Sequence, residues 1–216
     1  MTLLLSSKQR LVLVGDSITD AGRARPIGTF SNGLGEGYPS LVNSLLTAIY
    51  PELEIEVLNV GSSGDTVRHL KVRWQTDVID LKPDWLSIMI GTNDVWRQFD
   101  SPEDPTAAVL EDEFTTTLNA LVVQTKPLVT GLILLTPFLV ETNLSDPFRA
   151  RMDQYNAIVK AIGGANNVPV VDTQAAFDRA TKYVDTTVLA PDHVHPTQPG
   201  HVVLAKCLLD ALSFEW

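Results

Sequence analysis

Five short apolar runs alternate along the chain with longer segments in which apolar residues recur every three or four positions. The runs are rich in Val, Ile and Leu, and they cover residues 11–14, 55–60, 85–90, 132–135 and 168–171. Most of them lack the polar alternation of a strand with one solvated face, which is typical of parallel strands buried on both sides. The run at 55–60 alternates in part, as a strand nearer an edge would.

The segments between the runs have the pattern of amphipathic helices. Apolar residues at helical spacing predict a helix over 67–81, and residues 111–126 and 147–162 show a similar pattern. The third of these helices is predicted to end at Gly163–Gly164, because glycine commonly follows the last helical turn. A final helix is predicted to begin near Pro199.

This alternation predicts an α/β fold in which right-handed crossovers place helices on both faces of a five-stranded parallel sheet. The chain has 216 residues, of which 44% are hydrophobic and 19% charged, and these values fit one domain over residues 1–216. The formal net charge of −10 disfavours nucleic acid and anionic membrane surfaces as partners. A single cysteine, Cys207, excludes an internal disulfide. No apolar run approaches the roughly 20 residues of a membrane span, and the first ten residues lack a signal-peptide pattern, so a cytoplasmic location is expected.

In an open parallel sheet, the functional crevice lies beyond the carboxyl ends of the strands. Small and polar residues follow four of the runs: GDS at 15–17, GSSGD at 61–65, GTND at 91–94 and TPF at 136–138. Ser17 is a candidate nucleophile, since a helix that begins just after it would point backbone N–H groups at an anion held there. The alternative is that Ser17 caps a helix.

The general base is sought among four histidines. His69 has the pattern of a surface residue on a helix, and His201 that of a structural residue in the last helix. Asp192 and His195 are three residues apart in a proline-rich segment, a spacing that in a tight turn places a carboxylate against Nδ1–H and leaves Nε2 free to accept a proton. His193 is expected to point away from Asp192. A metal site built on Asp192 and the two neighbouring histidines is the alternative.

Two positions are candidates for stabilising an oxyanion. Gly61 can bring its backbone N–H close to a ligand because it has no Cβ, and the side-chain amide of Asn93 follows the most hydrophobic strand. The alternatives are an ordinary turn glycine at position 61 and a loop side chain at position 93 that caps its own backbone.

These candidates fall into four blocks that resemble, in order, those of the SGNH hydrolases, also called GDSL esterases: GDSIT at 15–19, Gly61, GTND at 91–94 and DHVHP at 192–196. The resemblance extends over residues 10–200. It implies a three-layer α/β/α sandwich of the flavodoxin-like type and no cofactor. It also implies that Ser17 is the nucleophile, His195 the general base and Asp192 its orienting partner. The implied oxyanion hole consists of the backbone N–H groups of Ser17 and Gly61 and the side chain of Asn93.

Further segments resemble the bacterial intracellular acetylxylan esterases of this family: GDSITD at 15–20, GRARP at 22–26, IMIG at 88–91, NDVWRQ at 93–98, MDQY at 152–155 and the ending FEW. Those enzymes remove acetyl groups from xylo-oligosaccharides, so the resemblance implies an acetylated carbohydrate or another small ester as substrate and an acyl-serine intermediate. One difference is Pro191, where relatives carry a large aromatic residue.

Four residues are candidates for substrate binding: Asp16, Trp96, Arg97 and Phe138. Asp16 is also expected to hold the Ser17 turn. Trp96 and Phe138 are equally well explained as packing residues, and Arg97 as the partner of an acid. The terminal aromatic residue Trp216 is compatible with a contact surface in a homo-oligomer.

Two other functions stay open at this point. One is a thioesterase or lysophospholipase of the same fold, although no long apolar lid segment for a large lipid substrate is evident. The other is a non-catalytic, flavodoxin-like binding domain whose Ser17 loop holds a phosphate. The net charge of −10 and the lack of a lysine in that loop disfavour the phosphate site.

Overall fold

A sheet of five parallel strands lies at the centre of the computed structural model, which describes residues 2–28, 32–101, 103, 104 and 106–216. The strands are β1 (Arg10–Gly15), β2 (Glu56–Gly61), β3 (Trp85–Met89), β4 (Gly131–Leu135) and β5 (Val170–Val171). The strand order is β2-β1-β3-β4-β5, and each neighbouring pair is parallel. The five-stranded parallel sheet predicted from the sequence is therefore confirmed.

Burial along the strands follows their place in the sheet. All five residues of β3, the middle strand, are buried, as expected for a strand with helices on both faces. β2 lies at one edge and begins with the exposed Glu56, in agreement with its partial polar alternation. At the other edge, β5 is shorter than the predicted run at 168–171, and both of its residues are half-buried.

Helices pack in two groups on this sheet. The helices are α1 (Ser17–Asp20), α2 (Tyr38–Ile49), α3 (Val67–Trp74), α4 (Thr92–Asp100), α5 (Glu111–Thr125), α6 (Pro147–Asn166), α7 (Thr173–Ala180), α8 (Thr186–Leu189) and α9 (Gln198–Ala211). In the first group, α9 contacts α2, α7 and α8. In the second group, α5 contacts α3 and α6, and α6 also contacts α4. A π-helical segment, Gln75–Ile79, continues α3, and short 3₁₀ helices cover Pro51–Leu53 and Lys126–Leu128.

The end of α6 differs from the prediction. The helix continues through Gly163–Gly164 to Asn166, and Asn167 adopts the left-handed conformation that ends it. Gly163 is required for close packing instead, because a Cβ at this position would lie 2.1 Å from Val170 Cγ2. Its backbone carbonyl also accepts a hydrogen bond from the Val168 N–H, which leads the chain into β5.

Strand register brings the predicted functional segments to one edge of the sheet. Gly15 at the end of β1 is level with Gly61 of β2 on one side and with Met89 of β3 on the other. The chain then continues from these strands into α1, into the loop before α3 and into α4. In the described part of the chain, none of the helices has the length and apolar character needed to span a bilayer.

Candidate active site

Ser17 is the first residue of α1, directly after β1 and a single intervening aspartate. Asp16 is the N-cap, and its Oδ1 accepts a hydrogen bond of 3.0 Å from the Ile18 N–H. This cap satisfies one donor of the short helix, whereas the Ser17 N–H has no acceptor among the residues that the structure describes. The Ser17 turn therefore presents a hydroxyl and a free backbone donor at the carboxyl edge of the sheet.

His195 and Asp192 complete a hydrogen-bonded chain with Ser17. The Ser17 Oγ lies 3.0 Å from His195 Nε2, and His195 Nδ1 lies 2.6 Å from Asp192 Oδ2. Since a carboxylate only accepts hydrogen bonds, Nδ1 carries the ring proton, and Nε2 is left to accept the Ser17 hydroxyl proton. The structure thus brings together a hydroxyl and an imidazole that are 178 positions apart in the sequence.

The turn that holds Asp192 and His195 is fixed by its own backbone. Asp192 Oδ1 accepts hydrogen bonds from the N–H groups of Val194 at 3.0 Å and His195 at 2.7 Å. The Val194 side chain is buried, and Thr197 caps α9 while its hydroxyl donates to the Val188 carbonyl. The carboxylate therefore shapes the loop and orients the imidazole at the same time.

Asp192 is ionised near neutral pH. Partial burial raises its pKa, but hydrogen bonds from the His195 ring and from the N–H groups of His195 and Val194 outweigh this effect and hold the pKa below its usual value. The side chains of His195 and Asp192 are 46% and 47% exposed, so the chain of three residues is open to solvent and to a ligand of considerable size.

Asn93 lies on the first turn of α4, which begins three residues after the end of β3, and not on a loop. Its side chain is buried, and Nδ2 donates a hydrogen bond of 3.0 Å to the Asp65 carbonyl oxygen. An amide nitrogen carries two hydrogens, so a second donor is available. The Asp65 contact also ties the start of α4 to the loop after β2.

Gly61 is wrongly predicted as a donor to an oxyanion. Its N–H donates a hydrogen bond of 2.8 Å to Asn59 Oδ1 within β2, so that donor is already used. A Cβ at position 61 would lie 2.1 Å from the Asp20 backbone nitrogen, so this glycine serves the close packing of β2 against α1. Gly64, which sequence reasoning missed, has a φ of +83° and no heavy atom within 4 Å of an ideal Cβ. In the part of the chain that is described, its N–H has no acceptor.

Two buried carboxyl groups lie beneath this edge. Asp16 is 1% exposed, and burial raises its pKa to about 7 despite the hydrogen bond from the Ile18 N–H. Burial raises the pKa of Asp94 to about 8; its Oδ1 accepts from the Val67 N–H at 3.0 Å, and its Oδ2 has no partner in the described residues. Asp16 therefore holds the Ser17 turn, and its prediction as a substrate-binding residue is wrong because its side chain is buried.

The three other predicted binding residues have different environments. The Trp96 ring lies beside His195, with 5.8 Å between ring centroids. Arg97 forms an ion pair with Asp100. Phe138 is fully buried and stacks on Phe177 at 4.3 Å, so its prediction as a pocket residue is wrong and its packing role is the correct one.

The remaining histidines lie outside this chain of hydrogen bonds. His193 has a φ of +66° and directs Nδ1 toward Glu141 Oε2 at 3.4 Å, away from Asp192 as predicted. His201 is buried, its Nδ1 accepts from the Tyr38 N–H, and burial lowers its pKa to about 4, in agreement with a structural role. No group of three or more potential metal-ligating side chains is found in the described ranges.

The chain matches a known family and a known protein over most of its length. A family model described as the GDSL-like lipase/acylhydrolase family matches residues 13–203. An acetylxylan esterase of Geobacillus stearothermophilus is 54% identical over 213 residues, which cover 98% of this chain and 97% of that protein.

Solved structures give the same relationship. The crystal structure of Axe2, an acetylxylan esterase from G. stearothermophilus, has a TM-score of 0.96 at 52% identity and covers 99% of this chain and 98% of its own. Three further structures are of catalytic mutants of Axe2 in which a histidine, a serine or an aspartate is replaced by alanine. An α/β hydrolase from the metagenome of Lake Arreo has a TM-score of 0.96 at 43% identity, with 98% of each chain covered.

Proposed function

Because this chain belongs to the GDSL-like lipase/acylhydrolase family, we propose that it is a serine esterase that removes acetyl groups from xylo-oligosaccharides. The observation that carries the proposal is the hydrogen-bonded chain from Ser17 Oγ through His195 to Asp192, at 3.0 Å and 2.6 Å. A non-catalytic phosphate-binding domain has no need for this arrangement. The substrate class is supported by the G. stearothermophilus relatives, which are described as acetylxylan and acetyl-xylooligosaccharide esterases.

In the acylation step, the Ser17 oxygen attacks the ester carbonyl carbon while its proton moves to His195 Nε2. The imidazolium that forms is stabilised by the Asp192 carboxylate, which stays ionised and keeps the ring in the productive tautomer. Nε2 then gives the proton to the sugar oxygen as the C–O bond of the ester breaks. The products of this step are the free sugar hydroxyl and an acetyl group on Ser17.

Deacylation repeats the same proton path with water. A water oxygen attacks the acetyl carbonyl carbon while one water proton moves to His195 Nε2. That proton then passes to the Ser17 oxygen as acetate leaves. The exposed position of His195 gives water direct access to this step. Every proton transfer in the two steps passes through His195 Nε2.

The proposed oxyanion hole has three donors: the Ser17 N–H, the Gly64 N–H and the second Nδ2 hydrogen of Asn93. Gly64 takes the place that sequence reasoning gave to Gly61, since the Gly61 donor is bound to Asn59. Gly64 immediately precedes Asp65, whose carbonyl accepts a hydrogen bond from Asn93. This bond links the loop that carries the Gly64 donor to the helix that carries the Asn93 donor. Fixed donors of this kind stabilise developing negative charge without reorganisation in the transition state.

The test is acetate release from acetylated xylo-oligosaccharides by the wild-type protein and by Ser17→Ala. We expect the variant to keep its fold and to lose turnover and fluorophosphonate labelling, because the hydroxyl of Ser17 is the attacking group. Ser62→Ala, a change at another serine of the same sheet edge, is the matched control and should still be labelled. Turnover by Ser17→Ala close to that of the parent would contradict the assignment of the nucleophile.

Three expectations from the sequence stay predictions: one catalytic domain over residues 1–216, a cytoplasmic location and assembly into a homo-oligomer. The proposed steps use backbone and side-chain groups of this chain and a neutral ester substrate. Neither nucleic acid nor a membrane surface takes part in them.

A further inference from the structure

Three aromatic side chains form a continuous row that begins beside His195. The Trp96 ring lies 5.8 Å from the His195 ring and 6.2 Å from the ring of Phe148. Phe148 in turn lies 5.2 Å from Phe99. We call Trp96, Phe148 and Phe99 the aromatic row.

The row is built on two packed helices. Trp96 and Phe99 are three residues apart on α4 and so share one of its faces, and Phe148 lies in the first turn of α6, which contacts α4. Trp96 and Phe148 are half-buried and pack partly against the hydrophobic core, which fixes the positions of their rings. Phe99, at the far end, is 41% exposed.

Core packing involves Trp96 and Phe148 but not Phe99, which is 41% exposed. Single exposed apolar side chains are common on protein surfaces, but contiguous apolar surface beside a reactive site marks a binding region. The two charged residues of α4 in this stretch, Arg97 and Asp100, pair with each other. The row therefore offers aromatic surface to an uncharged ligand that has an apolar face.

We propose that the aromatic row binds the sugar units that neighbour the acetylated unit of a xylo-oligosaccharide, an inference that rests on the proposed function. The C–H groups on the face of a pyranose ring carry slight positive charge and pack well on the negative face of an aromatic ring. The hydroxyl groups at the sugar's edge stay in water, which an open row permits and a closed pocket does not. Successive rings of the row are 5.2 to 6.2 Å apart, a step similar to the length of one pyranose ring.

The order of the rings sets the order of the sugars. Because Trp96 is next to His195, the unit whose ester is attacked lies at Trp96, and further units extend along Phe148 toward Phe99. A monosaccharide reaches only the first ring, whereas a trisaccharide can contact all three. The row therefore makes the enzyme selective for substrate length.

The experiment measures kcat/KM for acetate release from acetylated xylose and from acetylated xylotriose, together with hydrolysis of p-nitrophenyl acetate. The wild-type protein should prefer the trisaccharide. In Phe99→Ala, the ratio of kcat/KM for xylotriose to that for p-nitrophenyl acetate should fall about tenfold, mainly through KM, since one aromatic contact is lost. Phe99→Tyr keeps a flat ring and should keep the ratio, whereas Phe99→Leu keeps apolar character without a flat face and should behave as Phe99→Ala.

Leu128→Ala is the matched control, because Leu128 is also an exposed apolar residue but lies at the amino end of β4, away from Ser17. An unchanged ratio in Phe99→Ala, or a retained ratio in Phe99→Leu, would overturn the row as a stacking surface. A change of oligomeric state in Phe99→Ala, measured by light scattering, with equal losses on all three substrates would overturn it in favour of a subunit contact.

The failures of the two proposals are distinguishable. A wild-type protein that deacetylates both sugars with no preference for xylotriose overturns the aromatic row alone. A wild-type protein that hydrolyses p-nitrophenyl acetate but releases no acetate from either sugar overturns the proposed substrate, and the row with it.

Discussion

Asn93→Ala removes a side chain that has two proposed roles, one in stability and one in catalysis. One Nδ2 hydrogen is bound to the Asp65 carbonyl oxygen at 3.0 Å, and the other is proposed to bind the oxyanion. Removal of one oxyanion donor costs about 2.7–4 kcal/mol in the transition state, so kcat should fall roughly 10²- to 10³-fold. Loss of the Asp65 hydrogen bond should lower the free energy of unfolding by about 1–3 kcal/mol, because the carbonyl of the buried Asp65 loses its Asn93 partner.

The assay is steady-state hydrolysis of p-nitrophenyl acetate at saturating substrate, together with urea denaturation of the same protein samples. Asn166→Ala is the control, because Asn166 also donates from Nδ2 to a backbone carbonyl, that of Ile162 at 2.8 Å, and to Asn119 Oδ1 at 2.8 Å, but at the C-terminal end of α6. Both variants should lose stability, and only Asn93→Ala should lose turnover. If Asn93→Ala keeps kcat within threefold of the parent, or if Asn166→Ala loses as much, the oxyanion role of Asn93 is refuted.

Three more predictions concern the carboxyl groups and the packing of α6. Asp192→Asn should lower kcat about 10⁴-fold with little change in the far-UV circular dichroism spectrum, because an amide no longer selects the tautomer with the proton on Nδ1. Burial raises the pKa of Asp94 to about 8. In the unfolded chain the same carboxyl group has a pKa near 4, so the folded state binds more protons between about pH 4 and 8. The free energy of unfolding should therefore decline as pH rises through this range. Asp94→Asn should reduce that decline, measured by urea titrations at several pH values. Gly163→Ala should destabilise the protein by about 1–3 kcal/mol, since its Cβ would lie 2.1 Å from Val170 Cγ2. Gly164→Ala should stabilise it by about 0.5–1 kcal/mol, because a Cβ there meets nothing within 4 Å. Equal midpoints of thermal unfolding for the two variants would contradict this packing argument.

Much of the fold was predictable because buried parallel strands are almost continuously apolar. The runs at 11–14 and 132–135 match β1 and β4 closely, and the family resemblance carried by the four sequence blocks is confirmed by the family match over residues 13–203. Helix α7 was not predicted because its eight residues are too few for helical periodicity to stand out, and α2 was missed although its apolar residues recur at helical spacing. The end of α6 was misplaced because a glycine that packs against a strand and a glycine that ends a helix look the same in a sequence.

The proposed site was predictable where spacing alone determines geometry. Asp192 and His195 are three residues apart in a turn bounded by prolines, and the structure shows the expected contact at 2.6 Å. Gly61 was chosen wrongly because its N–H is bound to Asn59 Oδ1, and the Asn59 side chain is oriented by hydrogen bonds to the carbonyls of Thr19 and Leu34, which are distant in sequence. Phe138 was misplaced for a similar reason, since only the position of Phe177 shows that its ring points into the core.

The loop that carries both Asp192 and His195 has a consequence for how the protein loses activity. His195 and Asp192 are joined by side-chain and backbone hydrogen bonds within one four-residue turn, so their relative positions are set locally. The serine belongs to a different element, and among the described residues one hydrogen bond of 3.0 Å connects Ser17 to the turn. Gentle heating or a low denaturant concentration should therefore break the contact between Ser17 and His195 before the turn or α1 unfolds. Inactivation should then precede global unfolding.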